Sequence, residues 1–379
     1  MSKELACAAL GGLGGALLLH LYSVYHERCE VGYTSTAVST TGYAHGEYYI
    51  GVDIGGTTIQ ISIVSNGGEI IGKIFASELS QATEDRSEQK IIALVVSNIH
   101  KCLRESDKHL LDIKAVGVGS PGVNDLERGI ILRASNFPNW DHFNIADTLS
   151  KALGGIPVVL ENDAKAALLA EAWVGAGQGC QDIAMMTLGT GIGGAVLSGG
   201  RVLRGATGMA GEIGHAIFIP NGRSNHGTGV KGIFEEYTSA KSLGALAMET
   251  IVNNDVINDS SLKAYAQTLS IDVSCKDVFE HAEHGDQHAR KLLSQTIEYL
   301  GIGCINLCRY YDPSVILLSG GMTLAGQKFV DRIQECFLKH HWSIFKPNCE
   351  IKLATTGNAA GVIGAAYAAK LHVEMCKKE

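Results

Sequence analysis

Positive charge is scarce in this chain and proline is scarcer. Thirty-one Lys and Arg face 39 Asp and Glu, a formal net charge of −8, which argues against a nucleic-acid partner. No helix-turn-helix segment precedes the main body. Six prolines stand against 46 glycines, so the reversals of the chain fall to glycine, as in an α/β protein with many tight turns. The ten cysteines form no CxxC pair, and their scatter fits reduced, mostly buried thiols in a reducing compartment. With 46% hydrophobic and 18% charged residues, disorder is excluded, and 379 residues suffice for two or three domains around sizeable cores.

Charge is absent altogether between Leu5 and Tyr25, where only His20 and Ser23 are clearly polar. A stretch of that length can span a bilayer as a helix. The cluster Gly11-Gly12-Leu13-Gly14-Gly15 permits close helix contact but lowers helix propensity. Lys3 and Arg28 flank the stretch evenly and give no orientation. Residues 1–30 therefore read as a membrane anchor first, with a cleaved targeting segment or a soluble leader as alternatives. Residues 31–47, rich in Thr, Ser and Gly, read as a linker.

The body then offers two glycine-rich hairpins. The first reads Gly51-Val52-Asp53-Ile54-Gly55-Gly56-Thr57-Thr58 and the second Leu188-Gly189-Thr190-Gly191-Ile192-Gly193-Gly194. Each lies between two apolar runs, the pattern of strand, tight turn and strand. Glycines let backbone N–H groups turn inward toward an anion, and threonine hydroxyls add donors. Two such turns in one chain suggest a duplicated fold that grips a polyphosphate from both sides.

The remaining periodicity supports the duplication. Strands are expected at 48–53, 58–64 and 69–75, a helix at 84–105, a strand at 114–119, a helix at 146–153, a strand at 157–160 and a helix at 163–174. The order restarts with strands at 182–188 and 193–197 and a third around Arg201. Helices are expected at 232–252 and 276–307, then a strand at 314–318, a helix at 327–340, a strand at 349–354 and a closing helix from about Ala359. The expected fold is a duplicated α/β architecture, two lobes around a cleft. Residues 48–175 form the first lobe, onto which the closing helix 359–372 can pack, and 176–358 form the second.

Several residues carry chemistry. Asp53 ends its strand beside a phosphate loop, where a carboxylate can hold magnesium directly or through water. Ser319-Gly320-Gly321 follows a strand and precedes a helix, the place where open α/β domains bind nucleotides. In Glu161-Asn162-Asp163-Ala164, Asp163 is either a helix N-cap or a general base that takes the proton of an attacking hydroxyl, with Asn162 orienting the same substrate. Gly211-Glu212-Ile213-Gly214-His215 and the later Glu235 offer acceptors for sugar hydroxyls.

These segments, with Gly117-Val118-Gly119-Ser120-Pro121-Gly122, Ala134-Ser135-Asn136-Phe137-Pro138-Asn139-Trp140, Glu235-Glu236-Tyr237-Thr238-Ser239 and the Gly357-Asn358-Ala359-Ala360-Gly361 stretch, resemble the ROK family of sugar kinases, and specifically its bacterial-type glucokinases. The resemblance covers residues 48–371. It implies the actin-like, hexokinase-like ATPase fold and an ATP-dependent hexose kinase, most simply one making glucose 6-phosphate. Asp163 is then the catalytic base. Asn162, Asn136, Glu212, His215 and Glu235 hold sugar hydroxyls, with the backbone at Gly122 beneath the ring. Asp53, Gly55, Gly56, Thr57, Thr58, Gly189, Thr190, Gly191 and Gly193 hold ATP phosphates and Mg2+, and Gly320 and Gly321 lie against the adenosine. A homodimer is implied by the resemblance alone. The alternatives are a kinase for another hexose or N-acetylhexosamine (N-acetylmannosamine, N-acetylglucosamine, fructose or mannose) and a non-catalytic sugar sensor.

The chain departs from the family pattern in two places. The family's structural zinc takes the histidine of GxxGH and three cysteines, but here the cysteine positions hold His226, Thr228 and Ile233. Threonine and isoleucine do not normally bind zinc, so no zinc is expected. Lys165 stands where the family more often has a small or amide side chain, and its expected orientation is toward solvent.

Overall fold

The computed structural model describes residues 47–79, 86–134, 137–225, 227–257, 259–342, 344 and 348–377. The leader, all of the linker but Glu47, Asn136 and His226 lie outside them. Among the described residues no helix is long and apolar enough to cross a membrane.

The first half opens with a meander of β1 (Tyr48–Ile54), β2 (Thr58–Ser65) and β3 (Ile70–Glu78). Helix α1 (Glu88–Glu105) returns the chain to β4 (Ile113–Ser120), which lies parallel to β1. A side sheet of β5 (Val123–Asp125), β6 (Ile130–Ala134) and β7 (Phe137–Asn144) follows, then α2 (Ile145–Ala152), β8 (Val158–Asn162) and α3 (Asp163–Val174). The second half holds β9 (Ile183–Leu188), β10 (Ile192–Ser198) and β11 (Arg201–Val202), and then a run of helices: α4 (Glu235–Thr238), α5 (Ala240–Val252), α6 (Ser261–Leu269), α7 (Cys275–Glu283) and α8 (Gln287–Tyr311). β12 (Val315–Ser319), α9 (Gln327–His340), β13 (Glu350–Leu353) and α10 (Ala360–Cys376) complete it.

The main sheets run β3-β2-β1-β4-β8 and β11-β10-β9-β12-β13. The side sheet apart, both orders are third, second, first, fourth, fifth, so the duplication expected from the two hairpins is the architecture found. Each sheet has its own apolar core. One gathers Ile50, Val52, Ile61, Val95 and Val118, the other Met186, Leu243, Leu292, Leu300 and Ile316. The central strands are buried along nearly their whole length, as strands covered on both faces must be.

Glycine spacing seats the closing helix on the first sheet. Gly51 of β1 and Gly117 of β4 are direct register partners. A β-carbon on either would fall 1.8 Å from a carbonyl oxygen of α10, Val362 O or Ala365 O respectively. The pair opens a trough into which α10 lays its own backbone, and α10 also packs closely along α3.

Three expectations need correction. The helix expected at 232–252 is two, α4 and α5, because Ser239 leaves helical geometry and caps α5 through its hydroxyl. The helix expected at 276–307 also divides. Gly285 adopts φ +102°, and Asp286 caps α8 by accepting the Ala289 amide at 2.8 Å. The side sheet β5–β7 and helix α6 were not anticipated.

Candidate active site

Asp163 is the first residue of α3, and the N-cap is its neighbour. The Asn162 Oδ1 accepts the Lys165 amide at 3.2 Å, while its Nδ2 donates to Asp163 Oδ1 at 3.0 Å. The same carboxylate oxygen accepts the Ala164 amide at 2.8 Å. The helix is therefore capped by Asn162, and the Asp163 side chain, held by one edge, stays open to solvent. This resolves the choice left open by the sequence: Asp163 is not spent as a cap. Crowding by protein raises its pKa above the ordinary carboxylate value, against the pull of the Ala164 amide, Asn162 and Lys165.

Both hairpins converge on this helix start. A β-carbon at Gly193 in the second hairpin would lie 3.5 Å from the Ala164 side chain. One at Gly119 in β4 would lie 3.6 Å from Ala166 and 3.7 Å from the Asp53 carboxylate. Asp53, next to last in β1, is pressed against the N-terminus of α10 at Gly361. Burial first, and the negative charge of Asp163 second, push its pKa up to about 6. Among the described residues no lysine or arginine pairs with it. A half-buried carboxylate repelled by a second one and lacking a cationic partner fits one ligand of a hard divalent ion.

Each hairpin is closed by a short backbone bond, Gly55 N to Thr58 O at 2.8 Å and Gly189 N to Gly191 O at 3.0 Å. Thr57 and Thr190 face solvent at the tips. The first tip is pinned by Arg86, whose Nη1 donates to Gly56 O at 2.9 Å. Trp140 of β7 in turn donates to the Arg86 carbonyl at 3.2 Å and stacks on Phe137. The unanticipated side sheet thus supports the tip of the first hairpin.

The second hairpin is fastened to the acidic residues. Glu235 Oε2 accepts the Ile192 amide at 2.8 Å. A β-carbon at Gly214 would fall 2.1 Å from Ile192 O, and one at Gly194 2.3 Å from Gly211 O. The GxxGH turn therefore lies directly on the hairpin, with Glu212 half-buried and His215 exposed. Burial raises the Glu212 pKa, opposed by Lys165 and His215, with Asp163 and Glu235 also within electrostatic reach. Gly122 has φ +100° at the turn into β5, where a β-carbon would strike Arg133 O. Asn136 lies outside the described residues.

Gly320, also left-handed at φ +94°, packs against the backbone of Leu188, while the α-carbon of Gly321 faces open space. From Thr190 a cleft of about 810 Å³ runs between the start of α5 (Ala240, Lys241, Gly244) and the segment Asp272 to Lys276. No sequence motif announced these lining residues, because the segment that completes the cleft lies just before the helix expected at 276–307.

Lys165 corrects the sequence expectation. It is 1% exposed, with Nζ donating to Gly208 O at 2.7 Å. Glu161, equally buried, pairs with Arg204 and accepts the Asn162 amide. The zinc loop also differs from the family pattern in substance. Ile233 is buried beside Phe234, and the Thr228 hydroxyl is engaged with Asn225 Oδ1, which also accepts the amides of Gly227 and Thr228. Such a donor set does not fit zinc.

A family model described as the ROK family matches residues 49–371. The chain is 33% identical over 327 residues to a glucokinase of Halalkalibacterium halodurans, covering 85% of this chain and 95% of that one. Its fold is similar to a ROK hexokinase from Thermus thermophilus, with a TM-score of 0.72 and 30% identity over 86% of this chain and 99% of that one. It is also similar to a ROK family glucokinase from Streptomyces griseus in complex with glucose and AMPPNP, with a TM-score of 0.68 and 30% identity over the same shares.

Proposed function

The chain belongs to the ROK family, and on that premise we propose that it is an ATP-dependent hexose kinase that converts glucose to glucose 6-phosphate. The observation that supports the reading is that Asn162 does the capping and leaves Asp163 exposed at a helix start that packs against Gly193 of the second hairpin, with Asp53 of the first hairpin within electrostatic reach.

In this reading Asp163 accepts the proton of the sugar hydroxyl as its oxygen attacks the terminal phosphorus of ATP, and ADP leaves. A raised proton affinity suits a base that works near neutral pH. Glu212, His215, Asn162 and Glu235 hold the remaining hydroxyls, with Asn136 and the backbone at Gly122 completing the cup. Because the GxxGH turn rests on the second hairpin, sugar and phosphate are registered against one another by backbone contact, which favours a near-attack geometry. The hairpin amides hold the phosphate oxygens. The cleft beginning at Thr190, with Gly320 and Gly321, takes the adenosine. Asp53 would hold magnesium, which when bound neutralises phosphate charge. We read the body as cytosolic, where ATP and reduced thiols coexist, attached to a membrane by residues 5–25 and paired as a homodimer.

The test is coupled ADP release across a panel of hexoses with wild type and Asp163→Asn. We expect glucose to have the highest kcat/KM, and the variant to lose at least about 100-fold in kcat, the low end of what a positioned base supplies. Turnover by Asp163→Asn near the wild-type rate would refute the base. Sugar binding without turnover in the wild type would favour a sensor.

A further inference from the structure

The loop at residues 203–212 carries Glu212 to the sugar cup, yet it buries little of itself. Arg204, Gly205, Ala206, Thr207 and Met209 are exposed, and two backbone bonds close it internally, Ala210 N to Arg204 O at 3.1 Å and Glu212 N to Met209 O at 3.4 Å. By sequence it belongs to the second half. Two side chains of the first half reach across to it: Glu161 takes Arg204, and Lys165 donates to Gly208 O. Both come from the few residues around the base, at the end of β8 and the first turn of α3. The Gly208 α-carbon also rests near the backbone of Asn124 in β5.

Lys165 is the unusual member. A lysine ammonium is rarely taken fully out of water, because its desolvation must be balanced by specific partners. Here burial lowers its proton affinity, with Arg204 adding to that and the negative charges of Glu161, Glu212 and Asp163 opposing it, while its ammonium makes a directed bond to Gly208 O. The neighbouring helix positions, Ala166, Leu168 and Leu169, are buried and apolar, so an apolar side chain would satisfy packing alone. An ammonium adds a directed bond to one backbone carbonyl and attraction for one loop carboxylate.

We propose that Lys165 is a positioning residue that latches the Glu212 loop onto the base helix and so sets the distance between the sugar-holding carboxylate and Asp163. The latch acts through Glu212 and Gly208; Lys165 reaches Asp163 by charge alone and donates its hydrogen bond to Gly208 O. The proposal rests on the kinase reading above.

The experiment compares wild type, Lys165→Met, which keeps the shape and removes charge and donor, and Lys165→Gln, which keeps a donor without charge. Steady-state kinetics are measured with glucose and ATP varied separately, alongside calorimetric glucose binding without nucleotide. The latch predicts a split: in Lys165→Met the glucose KM and Kd rise at least 10-fold while the ATP KM stays within 2-fold, and Lys165→Gln falls between. A purely structural role would lower the active fraction and leave both KM values unchanged, and that outcome overturns the proposal. If neither variant folds, hydrogen exchange on the wild type decides. A latched loop protects the Ala210 amide without ligand, whereas exchange at the rate of a free peptide overturns the latch. Failure of the kinase reading is separately visible, because the wild type would then bind sugar without turning over ATP, whatever Lys165 does.

Discussion

The sharpest test of the charge arrangement is Asp53→Asn, because function and stability should move in opposite directions. In the folded protein the Asp53 carboxyl has its pKa raised from 3.8 to about 6 by burial and by Asp163. A carboxyl with a raised folded pKa contributes stability that is fully present below its unfolded value and is lost as pH rises through the folded one. The window is therefore pH 3.8 to about 6. Two pKa steps at about 1.4 kcal/mol each amount to roughly 3 kcal/mol of strain at neutral pH, and screening by nearby solvent brings the expectation to about 2 kcal/mol.

Asparagine has nearly the same shape and no charge, so it removes the strain. In metal-free and nucleotide-free buffer at pH 7.5, Asp53→Asn should melt above wild type. For a lobe of this size each kcal/mol is worth roughly 2–4 °C, which gives about 4–8 °C. The advantage should shrink as pH falls through 6 and vanish near pH 4, where the wild-type carboxyl is itself neutral. Magnesium alone should stabilise the wild type and leave the variant unmoved, since an amide is a poor exchange for a carboxylate on a hard cation. Kinase turnover should drop sharply. The assay is thermal melting by circular dichroism across pH 4–8, with and without MgCl2. A variant no more stable than wild type at pH 7.5, or a difference that ignores pH, would refute the reasoning.

Two further predictions concern parts of the fold away from the reacting atoms. Glu171 of α3 is fully buried and accepts the amides of Ala176, Thr355 and Thr356, joining both chain crossings between the halves. Glu171→Ala strands those donors and should cost about 3–5 kcal/mol, read as a lowered melting temperature; a melt within 2 °C of wild type, below the shift of about 1 kcal/mol, would contradict the joint. Asn225→Ala removes the acceptor that organises residues 227 and 228 and the bond to Glu236 at 2.7 Å, at about 1–2 kcal/mol, whereas EDTA should leave the melt unchanged. A chelator effect as large as that of the substitution would mean that a metal holds the loop after all.

The fold was legible where a local pattern and a global requirement coincide. Asp53 to Thr58 and Leu188 to Gly194 each place glycine and threonine between two apolar runs, and a strand–turn–strand unit is the arrangement such a run can bury. The side sheet gives no such cue. Phe137–Asn144 mixes Pro, Asn, Trp, Asp and His, and β5 has three residues, too few to show alternation. Trp140 could be named as apolar but not placed, because its partners Phe137 and Arg86 come from strand geometry and from another segment. The break at Gly285-Asp286 was readable in principle as a C-terminal glycine followed by a capping aspartate. The apolar periodicity of both flanking helices concealed it.

The site divides along the same line. Asp163 with Asn162, Glu212 with His215, and the hairpin glycines are spaced closely enough for the chain to declare them. The buried charges are not. Lys165 was read as solvent-facing because the prior for lysine is a solvated head group on an apolar stem. That prior fails only when acceptors arrive from elsewhere, and Gly208 and Glu212 lie more than forty positions along the chain. Glu161 and Glu171 likewise sit on an apolar strand–helix stretch and are satisfied by Arg204 and by Thr355 and Thr356, beyond any local window. A charged side chain in the interior of a duplicated fold is therefore a statement about the other half of the molecule. All three of these charges meet atoms supplied by residues 176–358, so polar ties join the halves beside the apolar packing of Leu168 with Ile183, Met185 and Leu317. Apolar cores tolerate approximate placement, while a kinase cleft needs its base, its sugar carboxylates and its phosphate loops registered to a fraction of an ångström. Directed bonds to buried charges supply that registration, and their cost in desolvation explains why they cluster around α3, the helix that carries the proposed base at its first turn and a crossing of the chain at its last.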